Sequence, residues 1–177
     1  ILKMIEIAER ILQTDDYTTV DLNHVENIID FIKNFADKYH HLKEEDILFL
    51  EMEKYGMPRD GGPIGMMLHE HNLGRNYIKS AEVGIELFKQ GDIGAFIQIQ
   101  ENLLNYGALL TQHIGKENNI LYPMAERMLP EGVGENMTNQ FEKINVNTPD
   151  NEYHDKYINM VEELSGIYLP PNPLKGE

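Results

Sequence analysis

Four stretches of the chain repeat apolar residues every three or four positions, and none alternates them convincingly at every second one. That period belongs to the α-helix and leaves little room for a sheet. The breaks between the stretches are short and carry residues that stop helices. ILKMIEIAERIL opens the chain, runs to about Gln13 and halts at Thr14-Asp15-Asp16. A second helix starts near Thr18–Val20, where Thr and Asp can cap exposed amides, and reaches about Tyr55. GMPRDGGP ends it, and Pro63 suits the first turn of a third helix reaching Gln90. Gly91-Asp92 precedes a fourth, capped by Asp92 and ending before Leu129-Pro130-Glu131-Gly132. Shorter helices are expected over about 134–143 and 151–167, and PPNPLKGE reads as an irregular tail. The pattern predicts an all-α protein, an antiparallel up-down four-helix bundle with short extra C-terminal helices. One domain is expected over residues 1–168, with the tail at 169–177.

Composition narrows the function classes. With 15 basic and 30 acidic side chains the net charge is −15, which argues against nucleic acid or an anionic membrane as partner. No run approaches the ~20 apolar residues that span a bilayer, and no signal-peptide pattern opens the chain. The absence of cysteine excludes disulfides, thiolate metal sites and cysteine nucleophiles. A cytoplasmic location is the expectation. The first helix begins on uncapped, apolar Ile1 without an initiator Met, which predicts that it extends upstream.

What breaks the apolar stripes is a pair of polar couples. In YHHLKEEDILF, His40 is followed four residues later by Glu44; in QHIGKENNILY, His113 is followed by Glu117. Stepping back from His40 at helical spacing gives Ala36, Ile32 and Ile29, an apolar stripe. The same walk from His41 gives Asp37, Asn34 and Asp30, so His41 and Glu45 are expected on the outer face or its edge. Behind His113 lie Leu110, Tyr106, Leu103 and Ile99. His71, in LHEHNLGR, faces inward by the same logic, with Ile64, Gly74, Ile78 and Ala81 on its stripe. His69 leads onto a mixed face and stays outside the set. His24 lies 16 residues before His40, roughly 24 Å along a helix and too far to share its site. His154 is expected to be exposed.

An ionised Glu on an apolar stripe is costly unless paired or bound to a cation. The inward set is His40, Glu44, His71, His113 and Glu117; its ordinary alternative is a buried His–Glu hydrogen bond on each helix. Imidazole and carboxylate without sulfur suit iron, manganese or zinc. Two shared carboxylates favour a dinuclear centre with metals ~3.5–4 Å apart. Five side chains are few for two irons, so a further ligand is expected. Tyr106 is either near the pocket or a core tyrosine bonded to a backbone group, the second being the more ordinary reading.

The segments HHLKEEDILF, GPIGMMLHEHNLGR and QHIGKENNILYPMA resemble, in order and spacing, the second, third and fourth helix signatures of the hemerythrin-like (HHE cation-binding) family. The resemblance covers nearly the whole chain. It implies a non-heme di-iron centre with His40, His71 and His113 as terminal ligands and Glu44 and Glu117 as bridges. It also implies a first-helix histidine a few positions upstream of Ile1. Oxygen-carrying hemerythrins have two third-helix histidines four apart; here Met67 and Arg75 flank His71 at that spacing, which argues against simple reversible oxygen carriage. The expected function is binding or sensing of O2, NO or a peroxide. The alternatives are a di-iron oxidase or peroxidase, a protein donating iron to damaged clusters, and a bundle with a vestigial site. The Glu-x-x-His motif of ferritin-like oxidases is absent.

Overall fold

The structure, a computed structural model, describes residues 1–147 and 150–169, and every regular element among them is helical. Apart from Leu169, the tail expected at 169–177 lies outside the described residues. Helix α1 covers Leu2–Leu12. Asp16 caps the short 3-10 turn Tyr17–Thr19 through the Thr18 amide, and Asp21 caps helix α2 (Leu22–Phe31) through the Asn23 amide at 2.9 Å. The rod begun by α2 continues through wide π-helical turns at Ile32–His41 and Glu44–Leu48 into α3 (Phe49–Lys54). Gly61 and Gly62, at φ 76° and 60°, turn the chain into α4 (Gly62–Lys89), with Pro63 in its first turn. The Asp92 carboxylate accepts from the Gly94 amide ahead of α5 (Ala95–Lys116). A third π-helical stretch, Glu117–Leu121, leads into α6 (Tyr122–Met128). Helices α7 (Val133–Asn147) and α8 (Asp150–Tyr168) complete the described chain.

Helices α4 and α5 form the closest pair and run in opposite senses. Gly84 lies against Ile99, Gly74 against the Tyr106 ring, and His71 against His113. Helix α1 crosses α5 with Ile5 against Gly107, while Gln100 donates to the Leu12 carbonyl at the far end. Tyr157 and Leu164 of α8, both 1% exposed, close the same core.

Among the described residues, two separate apolar cores result. The larger joins α1, α2, α4, α5 and α8 around residues such as Ile7, Leu12, Ile28, Phe31, Ile85 and Ile99. The smaller packs Phe49, Met52, Ile64, Met67 and Leu121. Along each rod that spans both, the residues between them are polar and buried: His41 and Glu44, His71, His113 and Glu117. Burying charged and polar groups is costly without compensation, so this layer is the least expected part of the molecule on stability grounds alone.

Candidate metal centre

The π-helical turns decide which side chains enter the polar layer. A turn closed between residues five apart carries a buried stripe forward by five rather than by three or four. From Phe31 that step reaches Ala36 and then His41, at 1%, 0% and 4% exposure. His41 therefore faces the interior, which corrects the outward placement expected from a uniform α-helical wheel. His40, one position earlier, is carried to the rim: its side chain is 33% exposed and its Nε2 is 4.0 Å from Glu117 Oε1. All three π-helical stretches contain or begin at a residue of the polar layer.

Of the five residues singled out in the sequence, the fold gathers four. Donor atoms of Glu44, His71, His113 and Glu117 lie within 4.8 Å of one another, as do those of His41, His71 and His113. His71 Nε2 is 3.1 Å from His113 Nε2 and 3.4 Å from Glu44 Oε2; His113 Nε2 is 2.8 Å from Glu117 Oε1. The His41 and His71 rings stack, with centroids 3.8 Å apart. His24 pairs with the Tyr168 hydroxyl at 2.6 Å, away from the layer.

Each of the three inner imidazoles is held from behind by a carboxylate. His41 Nδ1 meets Asp37 at 3.1 Å, His71 Nδ1 meets Glu45 at 2.7 Å and His113 Nδ1 meets Glu70 at 3.0 Å. An ionised carboxylate only accepts, so these contacts put a ring proton on Nδ1 and turn Nε2 inward. Arg75 ties two of the supports together: its Nε bonds Asp37 at 2.9 Å and its Nη2 bonds Glu45 at 2.7 Å. Lys116 bonds the third support, Glu70. A carboxylate behind each imidazole is the arrangement that orients histidine ligands at metal sites. Of these supports, sequence reasoning set Glu45 on the outer face and singled out neither Asp37 nor Glu70. Only the i, i+4 pair Asp37–His41 could have been found on one helix; the others reach across helices.

The electrostatics describe a pocket short of positive charge. Burial opposes ionisation of Glu44, but the close His71 imidazole, the nearby His40 and the hydrogen bond from Tyr122 outweigh it and hold Glu44 at about 2. Burial likewise opposes protonation of His71, yet Glu44 and Glu45 raise its pKa above the usual value. Burial depresses His41 to about 4, leaving its imidazole neutral.

Among the described residues, four buried side-chain atoms lack a hydrogen-bond partner, and three belong to this layer: His41 Nε2, Glu44 Oε2 and Glu117 Oε1. Glu117 Oε1 and Glu44 Oε2 touch imidazoles closely but without hydrogen-bond geometry. These partnerless, buried, electron-rich atoms belong to two donor groups that share His71 and His113, and they fit a bound cation. The donor set, imidazole and carboxylate, suits iron, manganese or zinc.

Comparison with known proteins gives one finding. The family model of the hemerythrin HHE cation-binding domain matches residues 1–125. No curated protein and no solved structure gives a match. No helix among the described residues is long and apolar enough to cross a membrane. The match runs from α1 into α6 and takes in the whole polar layer with its supporting carboxylates, so the chain belongs to the hemerythrin HHE cation-binding domain family.

Proposed function

We propose that this chain is a non-heme di-iron protein that binds or senses O2, NO or a peroxide, on an antiparallel up-down four-helix frame. The observation that carries the reading is the set of partnerless inner atoms in the buried layer. Glu44 and Glu117 come from different rods, and each offers a carboxylate to a shared centre. His71 and His113 hold it from α4 and α5. His41 supplies the further imidazole that the five-residue set lacks, and His40 serves from the rim.

An iron pair, when bound, supplies redox chemistry and an open coordination position toward a diatomic or peroxide. The protein's own part is to orient and to exclude water. Asp37, Glu45 and Glu70 fix the three rings, and Tyr122 donates to Glu44 Oε1 at 2.7 Å, holding the other oxygen toward the centre. The apolar cores above and below shield the layer from water on two sides and raise the cost of leaving it uncompensated. Manganese and zinc are the alternative occupants.

Metal analysis of anaerobically prepared protein tests this, followed by rapid mixing of the reduced form with O2, NO and H2O2. The reading predicts about two irons per chain and near-ultraviolet and visible charge-transfer bands that respond to at least one of these molecules. A protein that takes up no iron, or holds iron with no spectral response to any of them, contradicts it.

A further inference from the structure

We propose that the cleft opening beside His41, His71 and His113 is a binding pocket for an uncharged, ring-sized organic molecule that presents one hydrogen-bond acceptor to Tyr106. The cleft has a volume of about 330 Å³. A cavity of about 150 Å³ already takes up benzene, so this space far exceeds what a diatomic needs. It also falls in the range of small-molecule pockets. Ile32, Ile78, Leu109 and Leu110 make its walls apolar, and Gly74 leaves room where any side chain would crowd the Tyr106 ring, at 3.3 Å from Cβ to Cε2.

Two observations select the ligand chemistry. The first is the Tyr106 hydroxyl, the fourth partnerless buried atom among the described residues and the one outside the metal layer. The residue is 4% exposed and lines the cleft. A buried hydroxyl without a partner is costly, and a ligand oxygen or ring nitrogen in the cleft would satisfy it. The second is the mouth. Lys33 pairs with Glu82 at 2.6 Å and Arg75 with Asp37 at 2.7 Å, and Lys79 stands exposed in water at the rim. Glu70 also lines the cleft, so three cations stand against three carboxylates and the charges offer little field to draw in an ion.

The inference rests on the di-iron reading for what the ligand would meet at the floor of the cleft, where the three imidazoles stand; binding itself does not need the metal. Cyclohexanone, which carries one acceptor, and benzene, which carries none, are the probes. Each is titrated by calorimetry and NMR into metal-free and iron-loaded protein. Both probes are expected to bind once per chain in either form. Tyr106→Phe, which keeps the ring, should weaken cyclohexanone about three- to tenfold and leave benzene unchanged. Leu109→Trp, which fills the cleft, should abolish both. In iron-loaded protein, cyclohexanone should also shift the visible bands. Absence of saturable binding, or an equal response of both probes to Tyr106→Phe, overturns the proposal. Probe binding by a protein that takes up no iron sinks only the metal reading; iron uptake without probe binding sinks only this one.

Discussion

Removing the Arg75 guanidinium should loosen two of the three imidazoles at once without touching a ring. Its Nε lies 2.9 Å and 3.1 Å from the two Asp37 oxygens, and its Nη2 lies 2.7 Å from Glu45. Burial would raise the pKa of Asp37, but hydrogen bonds from His41 and Arg75 outweigh it and hold the carboxyl at about 2. A charge-assisted hydrogen bond contributes about 1.5–3 kcal/mol when enclosed. The Arg75 side chain is 38% exposed, so solvent screening reduces the whole group to about 1–2 kcal/mol. For a chain of this size that is a fall in Tm of about 2–8 °C in Arg75→Leu. The effect on metal should be larger. Freed carboxylates no longer fix His41 and His71, and loss of such supports typically lowers metal affinity about 10- to 100-fold. Lysine is a point charge and reaches one carboxylate rather than both, so Arg75→Lys should fall between. Thermal unfolding of metal-free protein and chelator competition with a divalent probe metal measure the two effects separately. A folded Arg75→Leu protein with affinity within about twofold of wild type would refute the reasoning.

Three further outcomes follow from the geometry. His41→Ala should lower metal affinity more than His40→Ala, because His41 is 4% exposed among the inner imidazoles while the His40 side chain is 33% exposed at the rim; the reverse order in chelator competition contradicts the inward facing. Gly84→Ala should destabilise by about 1–3 kcal/mol, since its Cβ would meet Ile99 Cγ1 at 3.0 Å and backbone atoms at 3.2 Å and 3.3 Å, whereas Gly115→Ala, in open space, should stabilise by about 0.5–1 kcal/mol; equal urea midpoints for the two variants dispose of the close approach of α4 and α5. Burial lowers His41 from 6.5 to about 4, so between those values the unfolded chain holds the extra proton; this residue's share of metal-free stability is present above pH 6.5 and lost as pH falls toward 4. Urea unfolding across that interval should show a shallower decline in His41→Gln than in wild type, and identical slopes would contradict the depressed pKa.

The helices were legible because their evidence is local. Asp92 ahead of α5, Pro63 in the first turn of α4 and the break at Thr14–Asp16 each act on their own few residues. One of the two i, i+4 couples could be read for the same reason: His113 and Glu117 are both buried at the junction of α5 and its wide turn, whereas His40 of the other couple lies at the rim. His41 was illegible because the wheel assumes one period, and nothing in KNFADKYHH announces a turn closed over five residues. Tyr106 follows Leu103 and Ile99 on an ordinary apolar stripe, and only the fold reveals that its hydroxyl meets neither backbone nor side chain. The supports Glu45, Glu70 and Arg75 resemble solvated helix charges in the sequence. Their partners lie on other helices, and pairing across helices has no signature in the spacing of one.

The central claim is that a cation sits between the inner atoms of the buried layer. Anomalous diffraction at the iron edge, from crystals of iron-reconstituted protein, addresses it directly. Anomalous peaks are expected within coordinating distance of His71 Nε2, His113 Nε2 and the Glu44 and Glu117 carboxylates. Peaks confined to surface carboxylates, with these four side chains free of density, would contradict it.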